Sequence, residues 1–442
     1  MLKTFSIGGI HPEGNKLSAK SAIQELPIPK IATIPIAQHI GAPAKAVVKK
    51  GDEVKVGQII AKASGFVSAN IHSSVSGTVF KIDDVMDATG FRRTSIIIKV
   101  EGDEWLEDID RSNDLVTEIT KTKEEIIKGI GDAGIVGLGG ATFPAHVKLS
   151  LPPGKVAEVL IINAVECEPY LTSDHRVMLE KADEIMVGIQ ILMKALDVKK
   201  AIIGIENNKP DAIAHMSQTV SKYPGIEICP LKTQYPQGGE KQLIAATMNR
   251  EVPSGALPIE VGAVVQNVGS AFAVYEAIQK NKPLFERVAT VTGKSLKNPS
   301  NWKFRIGTPI NDIIEAAGGL PEDTAKIIAG GPMMGKSVVS VDVPLTKGSS
   351  GLLLLAKEET ARKDIKACIR CGKCISACPM GLEPYLLMVL AEKKDYERLE
   401  NNAVMDCIEC GSCSFSCPAN RPLLDYIRLG KGKVGQILRA RK

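Results

Sequence analysis

Short apolar runs recur along the chain, and their period changes from place to place. In "VAEVLIINAVECEP" the run Val159 to Ile162 is continuously apolar and then opens onto Asn163, Glu166 and Glu168; "AIIGI" at 201–205 and "IEIC" at 226–229 share this character. Runs of this length predict strands covered on both faces, as in a parallel sheet. Between them, the stretch from Asp174 to Leu196 repeats apolar residues at helical spacing and predicts a helix. The middle of the chain is expected to be an α/β layer, with polar residues at the carboxyl ends of its strands, where ligands collect in open sheets.

The flanks read differently. Residues 41–100 hold "VVKKGDEVKVGQIIAKASG" and then "ANIHSSVSGTV", short strands around a G-D-x-V-x-x-G turn and an S-x-x-S-G return. This resembles the barrel-sandwich fold of biotinyl and lipoyl carriers. Phe66 stands where a carrier has its lysine, so a docking or structural module with no attached cofactor is expected. Residues 286–345 run strand, strand, helix, strand, the order of a small β-grasp domain. "GGPMMG" within them is expected to be a turn, since no lysine–serine pair of P-loop type follows.

At 442 residues the chain is long enough for three or four domains. The start, "MLKTFSIGGIHPEGNK", has no apolar leader segment, and "GLLLLA" at 351–356 is too short to span a bilayer. A cytoplasmic protein with at most peripheral membrane contact is expected. Net charge of +5 makes no case for nucleic acid. The tail "RLGKGKVGQILRARK" lacks acids and is expected to be solvated and frayed, with anionic lipid or an acidic partner as the alternative.

Eight of the ten cysteines fall in two ladders, C-x2-C-x2-C-x3-C-P. The first is Cys368, Cys371, Cys374 and Cys378; the second is Cys407, Cys410, Cys413 and Cys417. In two-cluster bacterial ferredoxins three cysteines at this spacing hold one [4Fe–4S] cluster and the fourth ligates the other. One cluster is therefore assigned to Cys368, Cys371, Cys374 and Cys417, and the second to Cys407, Cys410, Cys413 and Cys378, with each fourth cysteine expected to begin a helix. Paired zinc sites are the alternative, but they explain neither the third cysteine nor the proline. Cys167 and Cys229 are expected to be packed small side chains.

"GDAGIVGLGGATFPAHVK" at 131–148 is dense in glycine but lacks the G-x-G-x-x-G dinucleotide fingerprint. Bare backbone amides there can approach a phosphate, especially beside a helix start, or the stretch is a surface loop. No His/Asp/Ser constellation stands out, and the six histidines are scattered.

"GLGGATFPAHVK", "INAVECEPYLTSDHR", "YPQGGEKQL" and "VVQNVGSAFAV" together resemble the flavin- and NADH-binding subunit of respiratory complex I. They are still more similar to the RnfC family of the Rnf complex, a membrane-bound ion-translocating ferredoxin:NAD oxidoreductase. The likeness runs end to end, from "TFSIGGIHPEGNK" to the ladders. The resemblance implies a multidomain α/β protein in four parts. These are a barrel-sandwich-hybrid N-terminal module at 1–110, a Rossmann-like α/β FMN/NADH-binding domain at 111–285, a β-grasp soluble-ligand-binding domain at 286–350, and an α-helical ferredoxin-type two-cluster domain at 351–442. It places Gly137, Gly139 and Gly140 along the FMN phosphate and ring, with Lys148 near the phosphate and Phe143 against the nicotinamide. Asn163 and Glu166 would hold the flavin's ribityl and ring, Glu168 the nucleotide side, Gly238 and Glu240 the NADH pocket, and Asn267 would lie beside the FMN.

The chain departs from the complex I pattern at Leu138, Val165 and Gly239, where that pattern has an arginine, an aspartate and a glutamate. The implied activity joins hydride exchange with NAD(H), through FMN, to single-electron transfer through two [4Fe–4S] clusters. The implied partners are the other, membrane-embedded Rnf subunits and a ferredoxin-type subunit, and the implied place is the cytoplasmic face of the cell membrane. A soluble flavin/iron–sulfur reductase of cobalamin-reductase type and a non-catalytic electron adaptor are the alternatives.

Overall fold

The computed structural model describes residues 2–441. Near the N-terminus, two antiparallel sheets face each other. One has strands Ile31–Pro35, Arg92–Val100, Gly77–Met86 and Glu53–Val54, the other Lys45–Ala46, Ile59–Lys62 and Ile71–His72. Alternate residues of these strands, among them Ile34, Ile60, Ile71, Val79, Ile96 and Ile98, close a separate small core between them. Gly77 has φ +143, and a Cβ there would lie 2.1 Å from the Lys99 carbonyl oxygen, so only glycine lets the long hairpin pair so closely. Phe66 sits in the turn between strands, 62% exposed.

The middle of the chain is a four-stranded, wholly parallel sheet in the order Ile226–Leu231, Ala201–Glu206, Val159–Asn163, Ala263–Asn267. Each strand expected there is present, and Ala263–Asn267 completes the edge beside the first of them. The single helix expected from Asp174 to Leu196 is two, Ser173–Glu180 and Ala182–Leu196, broken at Lys181 (φ −135). Glu180, at the break, accepts the backbone amide of Ile23 at 3.0 Å, a contact with the N-terminal segment that periodicity cannot register. Helix Val268–Gln279 packs on Ala182–Leu196 through Gly188, where a Cβ would lie 2.0 Å from the Ala271 carbonyl oxygen.

A six-stranded mixed sheet follows, in the order Ile23–Glu25, Ser300–Arg305, Glu286–Thr292, Gly351–Ala356, Thr324–Ala329, Lys336–Ser337. Gly351–Ala356 lies between two strands of this sheet, so the sheet runs past the division at residue 350 expected from the sequence. Its leucines 352 to 354 are buried because sheet neighbours, not a membrane, cover them. The "GGPMMG" segment is a turn, as expected.

Residues 373–440 are helical, with a core of Leu387, Leu390, Leu399, Ile427 and Val434. Contrary to expectation, Cys378 and Cys417 follow the short helices Lys373–Ser376 and Ser412–Phe415, and the next helices start only at Pro384 and Leu423. The expected frayed tail is also overturned. Residues Leu423–Ala440 form one helix, and Gly430 lies so close to Ala391 and Leu399 that a Cβ would come within 2.9 and 2.8 Å of their side chains. Among the described residues no helix is long and apolar enough to cross a membrane.

Candidate functional site

The glycine-rich loop closes on itself: the Gly137 amide donates to the Phe143 carbonyl at 2.8 Å and the Thr142 amide to the Gly137 carbonyl at 3.2 Å. Leu138 is tied from both sides, its amide donating to Ser270 Oγ at 2.9 Å and its carbonyl accepting from Arg287 at 3.1 Å. These bonds present Gly139 and Gly140 to solvent. A Cβ on Gly139 would come within 3.6 Å of the Asn267 side chain, whereas one on Gly140 (φ +104) would meet nothing within 4 Å. Phe143 is half-buried behind them.

Opposite the loop stand two strand ends. Asn163 and Asn267 are register partners on neighbouring strands. Asn163 Nδ2 donates to the Gly238 carbonyl at 2.8 Å, which brings the 235–240 loop to the same edge. The Asn267 side chain caps helix Val268–Gln279 through Oδ1 and donates through Nδ2 to Asp174 at 2.7 Å. Glu166 (φ +47) accepts the amides of Asp174 and His175 at 2.8 and 3.2 Å, capping the preceding helix start. Burial, and then the neighbouring Glu166 charge, push the Asp174 carboxyl well above the usual carboxylate range. Burial likewise pulls the Arg287 guanidinium down to about 10 against the opposing pull of Asp174.

Among the described residues, neither Glu166 nor Glu168 pairs with a lysine through its carboxylate. Glu168 accepts the Met333 and Met334 amides at 3.0 and 2.8 Å, which fastens the turn of the six-stranded sheet to the strand end. Burial raises Glu168 to about 7. Beneath both, the Lys16 ammonium donates to the carbonyls of Glu166, Glu168 and Leu171 at 2.9, 2.9 and 2.6 Å and is lowered to about 8 by burial. Lys148 and Glu240, expected at separate subsites, form one ion pair at 2.7 Å. Leu138 and Val165 turn their side chains into apolar cores, and a Cβ on Gly239 would clash with Gln242 Oε1 at 2.4 Å.

The cysteines segregate by burial. Cys378, Cys407, Cys410 and Cys413 line a single apolar pocket. Burial pushes the Cys413 thiol up to about 12 and Cys407 to about 11, so this wall favours neutral thiols until a metal centre takes the thiolates. Cys374 feels Cys417 across the ladders, and Cys368 and Cys371 are exposed. Among the described residues no three such side chains converge to hold a single metal ion; the sulfurs are spread around a wall. Four thiols around one apolar pocket, with no oxygen or nitrogen ligand among them, are a donor set of the kind that iron–sulfur clusters take.

The two halves of the site touch directly. Tyr235, next to the loop that carries Gly238, donates its hydroxyl to the Cys410 carbonyl at 2.8 Å, and Ile10, Tyr235, Ala377 and Cys410 share a small core with Cys167 at its edge. Cys167, packed as expected, accepts the Gly238 amide on Sγ at 3.4 Å. From the other end, Gly9 donates its amide to the Ala377 carbonyl at 3.1 Å and Gln242 donates to that of Pro379 at 3.1 Å. Tyr235, Lys16, Asp174 and Arg287 carry no assignment from sequence. Three of them lie inside the stretches that carried the resemblance, but only the fold shows what they touch.

Four family models match in succession: the RnfC barrel sandwich hybrid domain over 3–103, the Nuo51 FMN-binding domain over 130–276, the SLBB domain over 288–337 and a 4Fe-4S dicluster domain over 360–418. The corresponding subunit of the proton-translocating ferredoxin:NAD(+) oxidoreductase complex of Clostridium ljungdahlii is 49% identical over 98% of this chain and 94% of its own. The chain belongs to the RnfC family of ion-translocating ferredoxin:NAD oxidoreductase complexes. The RnfC relative in the Na(+)-translocating complex of Acetobacterium woodii is 43% identical over 97% of this chain and 96% of its own. The relative in the ion-translocating oxidoreductase complex of Rhodobacter capsulatus is 42% identical over 98% and 84%. An air-oxidized NAD+-reducing [NiFe]-hydrogenase shares the fold, with TM-score 0.50 and 17% identity over 71% of this chain and 66% of that one.

The residues fit the groups this family implies. FMN requires a loop with bare backbone, which Gly139 supplies beside Asn267 and Gly140 over open space. The four thiols that line one pocket lie within the matched 4Fe-4S dicluster domain and are a donor set suited to one cluster.

Proposed function

We propose that this chain is the nucleotide-side electron-transfer subunit of an Rnf-type complex, and that its two cofactor regions form an ordered route. FMN and two [4Fe–4S] clusters, when bound, supply the exchange between the two-electron chemistry of NAD(H) and single-electron carriers. The chain's own residues bind and orient. Gly137, Gly139 and Gly140 leave room for a flavin phosphate and ring, Asn163 and Asn267 line the facing edge, and Phe143 offers an aromatic wall to the nicotinamide. Lys148 and Glu240, already paired, lie at the nucleotide side with Gly238. Glu166 and Glu168 act by fixing backbone, one capping a helix and the other holding the 333–334 turn.

The observation that carries the route is the Tyr235–Cys410 bond. It sets the cavity of Cys378, Cys407, Cys410 and Cys413 against the flavin-side loop, while Cys368, Cys371, Cys374 and Cys417 form the outer set with two thiols exposed. The protein lies peripherally on the cytoplasmic face, with the membrane subunits and a ferredoxin-type subunit as partners. A chain that only passed electrons, without a nucleotide site, is the competing reading. Anaerobic titration with NADH of the chain loaded with FMN and clusters separates them: the expected result is flavin bleaching followed by reduced-cluster signals. Bleaching with dithionite but not with NADH removes the nucleotide site.

A further inference from the structure

Two cations stand behind the glycine loop and the strand end opposite it, and neither belongs to the stretch that matches the FMN-binding domain. Arg287 comes from strand Glu286–Thr292 and is 7% exposed. Its guanidinium donates to the carbonyls of Leu138 and Ser349 at 3.1 and 3.4 Å. Lys16 comes from the N-terminal segment, and its ammonium is caged by the carbonyls of Glu166, Glu168 and Leu171. Among the described residues every hydrogen bond of these two groups goes to a backbone carbonyl, and neither has an ion-pair partner. The carboxylates near them are engaged or suppressed: Glu166 caps a helix start, and burial favours the neutral form of Asp174.

The carbonyls they hold carry the consequence. In a planar trans peptide the N–H points opposite to the C=O, and of the described peptide bonds only Tyr235–Pro236 is cis. By fixing the Leu138 carbonyl, Arg287 turns the Gly139 amide away from itself. Lys16, on the Glu166 carbonyl, does the same to the Cys167 amide. Among the described residues neither amide has an acceptor. A peptide whose carbonyl is bonded to a cation is polarised, and its amide bonds an anion more strongly.

We propose that Arg287 and Lys16 are positioning residues for the flavin, each aiming and polarising one amide across a peptide, so that the site favours the reduced, negatively charged ring over the neutral oxidised one. The inference rests on the reading that Gly139 and the strand end from Asn163 to Glu168 flank FMN. A hydride delivered by NADH to the neutral oxidised ring leaves it with one negative charge, and polarised donors meet that charge. The FMN phosphate is charged in both redox states, so cations serving it alone would raise affinity without shifting the balance between those states.

The test uses the full chain loaded with both clusters, and FMN as the probe. Native chain, Arg287→Gln, Arg287→Lys and Lys16→Met are compared by the dissociation constant of oxidised FMN, read by flavin fluorescence, and by the two-electron midpoint of the bound flavin. Arg287→Gln and Lys16→Met are expected to bind oxidised FMN within about threefold of native but reduced FMN about tenfold more weakly, which lowers the midpoint by about 30 mV. Arg287→Lys, which keeps a charge behind Leu138, is expected to restore the native midpoint. The two sites lie on different elements, so if one variant fails to fold the other decides. Equal losses of oxidised and reduced FMN overturn the proposal and leave the cations to packing or to the phosphate. A native midpoint in both charge-removed variants overturns it too. A native chain that takes up no FMN fails earlier, at the reading of the site, and removes the proposal with it.

Discussion

The Tyr235 hydroxyl reaches across from the FMN-binding domain and donates to the carbonyl of Cys410, one of the four cysteines that line one pocket, at 2.8 Å. Tyr235 is 2% exposed, so nothing else can serve the carbonyl if the hydroxyl is removed. Tyr235→Phe keeps the ring and leaves a buried acceptor unpaired, a cost of about 1–3 kcal/mol. The expected outcome is normal flavin bleaching by NADH with slowed cluster reduction in stopped-flow traces, and faster hydrogen exchange around 405–412. Unchanged rates and exchange would mean the contact is incidental.

Crossed ligation predicts a pattern across single cysteine substitutions. Cys378→Ser, in the first ladder, should damage the same EPR signal as Cys413→Ser in the second, because both line one cavity. Cys417→Ser should instead match Cys374→Ser. Signals that group by ladder contradict the assignment.

Glu168 gives a pH signature. Burial raises its carboxyl from 4.5 to about 7, so between those values the folded chain holds a proton that the unfolded chain releases. Its contribution to stability therefore falls as pH rises through that window. Glu168→Gln removes the ionisation and should flatten this part of the stability profile, read as Tm against pH. Parallel profiles would show that the carboxyl ionises freely when folded.

Lys347 gives the opposite slope. Lys347 is 1% exposed, its ammonium donates to the carbonyls of Asn70 and Gly134 at 2.8 and 2.7 Å, and burial lowers it to about 7. From about 7 to 10.5 the unfolded chain binds more protons, so this group's contribution to stability rises with pH. The native chain should gain on Lys347→Met as pH is raised from about 7 to about 9.5 in thermal unfolding. A constant difference would contradict the burial argument.

Much of this was legible in the sequence where one local pattern decides the outcome. The strands from Val159, Ala201 and Ile226 announce themselves because a strand covered on both faces is apolar at every position. The ladders announce themselves because thiols at x2 spacing have few other uses. The break at Lys181 was hidden, since the strand that docks on Glu180 comes from over 150 residues away. The last helix was hidden because its acid-free run of cations reads as a solvated tail; Gly430 is instead a point of close approach to Ala391 and Leu399. In the site, Asn163 and Asn267 were expected together and stand together, while Lys148 and Glu240 were expected apart and are paired. Arg287 lay outside every motif, on a strand of the next sheet.

The most direct test of the route is freeze-quench EPR on the loaded chain carrying Cys413→Ser, which removes one ligand from the inner cavity. After mixing with NADH, flavin bleaching is predicted to proceed at the native rate while the outer cluster, which we assign to Cys368, Cys371, Cys374 and Cys417, stays oxidised. Reduction of that outer cluster at the native rate would contradict the order in which the chain sets its two thiol cages.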